Sequence, residues 1–236
     1  MTETQMQKEI LNKLMFSERL KYSDIESKFP DHNLFNYHLR ELLKKGYIKK
    51  SPDGYKLTTK GKQNVSHMEE DGQYQQQFKV GMFIDIIKEE NGKYYMMLYK
   101  RLKHPHYGYS GSVTGKLKWG DSLEDNLKRE LMEELNIVPT EFKNTGVFRE
   151  VFYNEEKEKV GDGVFFIIVV TKWYGVPNET SEEGEYYWCE IDKILDQEKI
   201  FRKGFELGLP KLKEYLKDKE NFKPYIVENL GESLKY

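Results

Sequence analysis

Two hydrophobic periods run along this chain. From about Thr2 to Met15 the residues Met6, Ile10, Leu11 and Leu14 recur at helical spacing and predict a first helix. Ser23, with Glu26 three positions on, makes a capping-box pattern and predicts a short second helix that stops before Pro30. "HNLFNYHLRELLKKG" predicts a third, with Leu34, Leu39, Leu42 and Leu43 inward and Gly46 as its stop. Two short β-like runs then flank Pro52-Asp53-Gly54, a hairpin signal. From Gly61 to Gln77 the chain is polar and without apolar periodicity, which reads as a linker or a linking helix. Beyond it the pattern becomes strand-like: "FKVGMFIDII", "KYYMMLYKR" across an Asn91-Gly92 turn, "TGVFREVFY", "GVFFIIVVTKWY" and "EYYWCEI". A helix from Leu123 to Leu135 interrupts these runs, and helical pieces close the chain. Strands before and after a helix in one unit predict an α+β or mixed α/β sandwich.

Composition adds a division of labour. Hydrophobic residues make up 38% of the 236 positions, and 17 Tyr and 13 Phe supply bulky core material, so a folded chain is expected. Net charge is only −2, which selects no class of partner. Its distribution is more telling. Up to Ser66 there are 13 Lys+Arg against 8 Asp+Glu, a balance of +5, which leaves 25 against 32, or −7, for the remainder. A basic front and an acidic back suggest two units with different tasks. The single cysteine, Cys189, excludes an internal disulfide, and no Cys/His cluster has zinc spacing. No apolar run is long enough to span a membrane, and "MTETQMQKEI" has no signal-peptide core, so no membrane partner and a cytoplasmic location are expected.

Three helices followed by a hairpin, with the phrase "LLKKGYIKKSPDGYKLTTKGK", resemble a winged helix-turn-helix domain. The resemblance implies double-stranded DNA as a partner, with the third helix in the major groove and the wing by the backbone. On that helix Asn33, Asn36, Tyr37, His38 and Arg40 are the exposed polar candidates, and Lys44, Lys45, Lys49, Lys50 and Lys56 would meet phosphates. The alternative for this region is dimerisation or substrate-lid contacts, with solubilising lysines.

The acidic residues Glu130, Glu133 and Glu134 share one face of the predicted helix. Like charges at this spacing destabilise a helix by roughly 0.2–0.5 kcal/mol per pair, and the helix dipole adds to that near its C-terminal end. A bound divalent cation would reverse the sign, because hard cations take several carboxylate oxygens at once. An ordinary solvated acidic face is the plain alternative. The surrounding spacing speaks against it. Gly115, five residues, Asp121, seven residues, Arg129-Glu130-Leu131, one residue, Glu133-Glu134, one residue, Asn136-Ile137 closely resembles the Nudix box. Three positions differ from the family pattern: Asp121 stands for Glu, Asn136 for Gly, and Thr114 where the first of two glycines is usual. Asn is the next-best residue after Gly in the left-handed conformation of a helix stop.

The two resemblances together imply an α+β chain: an all-α/winged-helix N-terminal domain followed by a Nudix α/β/α sandwich with a mixed sheet. The expected plan is a first domain over 1–62, a linker over 63–77, a Nudix domain over 78–212 and a helical tail over 213–236. The Nudix resemblance further implies hydrolysis of a diphosphate linkage in a nucleoside diphosphate derivative, with Mg2+ or Mn2+ as cofactor. Glu130 and Glu134 would be the principal metal ligands, Glu133 a third or nearly so, and the Thr114 carbonyl a further donor. Arg129 would hold the glutamates by a salt bridge. In "NETSEEGEYYW", Glu182 or Glu183 would be a ligand or the general base. Arg101, Lys103 and His104 lie where phosphate contacts would be useful, and Tyr107, Tyr109, Phe148 and Phe152 could stack on a base. For each of these taken singly, surface charge or core packing is the plainer reading. ADP-ribose-like and nucleoside-triphosphate-like substrates both stay open, and a homodimer is compatible with both resembled domains. A regulator that senses a nucleotide without efficient turnover is the competing function. Some Nudix-fold proteins are isopentenyl diphosphate isomerases, but they use a cysteine well before the box, and Cys189 lies after it.

Overall fold

A computed structural model describes residues 4–104, 106–153 and 157–230. Residues 1–3 of the expected first domain and 231–236 of the expected tail lie outside the described residues. The chain divides into two units, Met1–Gln77 and Phe78–Tyr236.

In the first unit, α1 (Gln5–Met15) begins at Thr4, whose side chain accepts from the Gln7 N–H. α2 spans Tyr22–Glu26 and α3 spans His32–Lys44. α2 starts earlier than the Ser23 pattern suggests, because the Asp24 carboxylate, not Glu26, accepts from the Lys21 N–H at 3.2 Å. Asp31 caps α3 by accepting from the Asn33 and Leu34 N–H groups at 2.9 Å each. The hairpin β1 (Ile48–Ser51) and β2 (Gly54–Leu57) pairs antiparallel. Leu20 adds a bridge to Tyr55 with backbone bonds of 3.0 and 2.8 Å. Gly54 makes that bridge possible: at φ +130°, a Cβ there would lie 2.3 Å from the Leu20 carbonyl oxygen. The core gathers Ile10, Leu11, Leu14, Phe35, Leu39, Leu42 and Ile48. Leu34 is 44% exposed rather than inward. The stretch expected as a linker belongs to this unit: α4 (Thr59–Val65) crosses its start, and Val65, Met68 and Tyr74 pack into the core.

The second unit is built on one long strand. β3 (Lys79–Glu90) pairs parallel with β8 (Lys159–Tyr174) and antiparallel with β6 (Val113–Lys116), then continues past them to pair with β4 (Lys93–Arg101). The Asn91-Gly92 turn joins β3 to β4 with both residues at positive φ. β7 (Val138–Tyr153) lies beyond β8, and β4 also pairs with β5 (Ser110–Gly111) and β9 (Gly184–Glu190). Side chains alternate across this mixed sheet. Met82, Ile84 and Ile86 face α5 (Leu123–Leu135), and Ile87 with Val169 faces α6 (Arg202–Lys217). The result is a sheet between two helices. The expected helical tail is in part a strand: after α6, β10 (Tyr225–Asn229) pairs parallel with β7 at the sheet edge.

Candidate active site

Helix α5 can present acids because its other stripe is fixed. Leu127, Leu131 and Leu135 are buried against Met82, Ile84, Ile86 and Ile168. Burying one such side chain contributes about 1.5–3 kcal/mol, well above the repulsion within the acidic face. Ser122 Oγ caps the helix by accepting from the Asp125 N–H at 3.1 Å. Asn136 ends it in the left-handed conformation at φ +56°. Both features follow the sequence reading.

Arg129 is the hub of the acidic face. Its Nη1 donates to Glu130 Oε1 at 2.7 Å and to Glu133 Oε2 at 3.0 Å. Its Nη2 donates to the Lys116 carbonyl and to Asn126 Oδ1, at 3.0 Å each. Asn126 is fully buried. Its Oδ1 also accepts from the Lys118 N–H, and its Nδ2 donates to the Ser122 carbonyl, both at 2.8 Å. One amide thus ties the loop before α5 to the arginine that aims two glutamates. Gly115 lets the helix come close: a Cβ there would lie 2.9 Å from Glu130 Cγ and 2.8 Å from Met82 Cε.

Glu134 is held from elsewhere. Tyr186 on β9 donates its hydroxyl to Glu134 Oε2 at 2.7 Å. Tyr186 is buried, and that burial pushes its phenol well above the ordinary range, with the Glu134 carboxylate adding to the effect. The neighbouring Tyr99 hydroxyl donates to the Glu183 carbonyl at 2.9 Å, and the Glu183 carboxylate forms an ion pair with Lys103. Burial lowers the Lys103 ammonium, with help from Arg101 and Lys116 and against the pull of Glu134. Arg101, Lys103, Lys116 and Glu134 therefore share one electrostatic neighbourhood. Thr114 is exposed on β6, next to Gly115.

Other expected residues lie elsewhere. Phe148 is 3% exposed and packs edge-on to Phe83, on the sheet face opposite α5. The structure does not bring it to the carboxylates. Tyr109 leans on Phe201, 5.7 Å between ring centroids. In the first unit Tyr37, Arg40, Lys44, Lys49 and Lys50 are exposed, whereas Asn36 is half-buried and accepts from the Tyr22 hydroxyl at 3.0 Å. His38 is buried, its Nδ1 3.4 Å from Thr4 Oγ1, because its position on α3 faces the core beside Leu39. It is not an exposed candidate for a DNA contact.

The chain belongs to the Nudix family. The pattern described as "NUDIX domain" matches residues 79–207, more than half of the chain. Residues 3–68 match a "Domain of unknown function (DUF7347)". An uncharacterized Nudix hydrolase of Bacillus subtilis, YvcI, is 28% identical over 93 residues, 39% of this chain. The match spans 58% of that relative's length. The crystal structure of the MutT protein from Bacillus halodurans superposes with a TM-score of 0.50 at 19% identity, covering 65% of this chain and 90% of that one. At that identity the likeness is one of fold. The Nudix domain of Shewanella oneidensis NrtR, solved with ADP ribose, has a TM-score of 0.48 at 15% identity, covering 69% of this chain and 99% of that one.

Glu130, Glu133 and Glu134 offer hard carboxylate oxygens, the class that Mg2+ and Mn2+ take. In chemistry they suit such an ion. Among the described residues, however, no group of three acids stands ready around one cation position. Glu130 and Glu133 turn to Arg129 and Glu134 turns to Tyr186, so closing on one ion requires side-chain rotation. Sequence reasoning missed Asn126 and Tyr186. A polar residue one position before Leu127, on a stripe turning inward, was a usable signal for Asn126. Nothing in the sequence ties Tyr186 to a glutamate 52 positions earlier.

Proposed function

We propose that the Nudix domain hydrolyses a diphosphate linkage in a nucleoside diphosphate derivative, with Mg2+ or Mn2+ as cofactor. The observation that carries this reading is the acidic face of α5, seated against Gly115 and organised by Arg129. Glu130 and Glu134 would be the principal ligands, with Glu133 and the Thr114 carbonyl as further donors. When bound, the ion would supply charge neutralisation at the diphosphate oxygens. The chain's own residues do the rest. Arg129 keeps Glu130 and Glu133 oriented. Arg101 and Lys103 meet phosphate oxygens, and a phosphate taking Lys103 would free the Glu183 carboxylate to accept a proton from the attacking water. Tyr109, half-exposed, stays a candidate for stacking on a base; Phe148 is too buried for that role in this conformation. Purified chain with Mg2+, offered a panel of nucleotide conjugates and read by mass spectrometry, is expected to release phosphate-containing products. Glu134→Gln should lose that activity. Failure across a broad panel would refute the reading.

One set of observations favours a second reading, a regulator that senses a nucleotide without efficient turnover. The acids are already engaged by Arg129, Tyr186 and Lys103. The first unit presents Tyr37, Arg40 and Lys44 on α3 with Lys49 and Lys50 on the hairpin, which suits a winged helix on double-stranded DNA. Ligand-dependent retention of selected DNA together with absent hydrolysis would support it; selection that returns no preferred sequence would sink it.

A further inference from the structure

Three acids share the face of α5, but they are held by two different means. Arg129 reaches Glu130 and Glu133 from within the helix. Glu134 is reached from β9, by the Tyr186 hydroxyl at 2.7 Å. The Tyr186 ring is 6% exposed and stacks on Tyr99, 5.3 Å between centroids, its register partner across β4 and β9. Backbone pairing and ring stacking together fix where its phenol points. The same hydroxyl lies 3.4 Å from Ser181 Oγ, which accepts from the Glu183 N–H at 3.2 Å. Tyr99 donates to the Glu183 carbonyl from the other side of the stack. Two tyrosines thus connect Glu134 to the loop that carries Glu182 and Glu183.

We infer that Tyr186 is a positioning residue that fixes the Glu134 carboxylate to receive a divalent cation and keeps it in register with that acidic loop. The inference rests on the reading of Glu134 as a cation ligand. Physical chemistry supplies the reason for a phenol here. Glu134 sits at the end of α5 where the helix dipole repels an anion, four residues after Glu130, and an untethered side chain there turns to water. A second arginine would hold it too, but would offset more of the negative charge that the face offers a cation, on top of what Arg129 already offsets at Glu130 and Glu133. A neutral O–H donor holds the carboxylate and leaves its full charge available to a cation, as outer partners of metal ligands do.

The test is Mn2+ binding to the full chain, read by the electron paramagnetic resonance of free Mn2+, for wild type, Tyr186→Phe, Glu134→Gln and the double variant. Tyr186→Phe removes one oxygen and keeps the ring and its stack; near-ultraviolet circular dichroism checks that the fold is intact. Tyr186→Phe is expected to weaken Mn2+ binding about 10-fold. Glu134→Gln should weaken it further, and the double variant should be no worse than Glu134→Gln, because the tyrosine acts through the glutamate. A packing role would not produce that non-additivity. Should Tyr186→Phe bind Mn2+ within about twofold of wild type while Glu134→Gln is impaired, the positioning role is overturned and the cation reading stands. A double variant weaker than Glu134→Gln by the full factor seen for Tyr186→Phe alone would also overturn it. Wild-type chain that binds no Mn2+ would sink the ligand reading and this inference with it.

Discussion

Asn126 offers the sharpest measurement of how the acidic face is organised. Replacing it with alanine removes three hydrogen-bonding functions at once: acceptance from the Lys118 N–H, acceptance from Arg129 Nη2 and donation to the Ser122 carbonyl. The two neutral bonds contribute about 1 kcal/mol each, and the charged one about 1.5–3 kcal/mol. Some of this is recovered, because Arg129 keeps the Lys116 carbonyl and both glutamates, and it is 19% exposed to water. A net loss of about 2–4 kcal/mol is expected. For a unit of this size that lowers the melting temperature by about 5–15 °C. Differential scanning calorimetry should follow the transition of the Nudix domain separately from any transition of the first unit, since two units need not melt together. Asn126→Asp is the informative companion. It retains an acceptor for Lys118 and Arg129 but turns an oxygen towards the Ser122 carbonyl in place of a donor, so it should be destabilised as well. An Asn126→Ala domain that melts within about 1 °C of wild type would refute the idea that this amide braces the loop and Arg129.

Leu131, fully buried under α5, should lose about 2–5 kcal/mol on truncation to alanine, measured by chemical denaturation of the domain. Asp85, buried on β3, has its carboxyl pushed up to about 6 from an ordinary 3.8, by burial and against a hydrogen bond from Ser112. Its folded value lies above its unfolded one, so its contribution is fully present below about pH 3.8 and fades as pH rises through about 6. Asp85→Asn should therefore stabilise the domain by about 3 kcal/mol at pH 7.5 and by nothing at pH 3; an equal gain at both pH values would contradict the account. If the first unit binds DNA, replacing Lys49 and Lys50 together by alanine should flatten the slope of log affinity against log salt by about 2. An unchanged slope in a fluorescence-anisotropy titration would remove those lysines from the interface.

Much of this is legible in the sequence. Leu127, Leu131 and Leu135 repeat at helical spacing and bury together, and Ser122 and Asn136 bound the helix as their chemistry requires. The Asn91-Gly92 turn announces the β3–β4 hairpin, since both residues tolerate positive φ. What could not be read arises from contacts distant in sequence. His38 is polar by type, but its place on α3 is set by packing with Leu39 and a partner at Thr4. Residues 63–77 lack periodicity because single side chains such as Met68 and Tyr74, not a regular face, attach them to the first unit. Phe148 sits on a strand whose two faces look alike in sequence, and only the pairing with Phe83 decides which face it takes. Tyr186 meets Glu134 through the register of β9 on β4, which no local pattern encodes.

β10 has a consequence for anyone who shortens the gene. It lies at 225–229, outside the matched span of 79–207, yet it forms the selvage of the sheet along Gly146–Glu150. Gly146 is cut to receive it, since a Cβ there would lie 2.4 Å from the Tyr225 backbone carbonyl oxygen. A fragment trimmed to the family boundary would leave β7 as a raw seam of unmated amides and carbonyls, primed to knit to its own kind and precipitate.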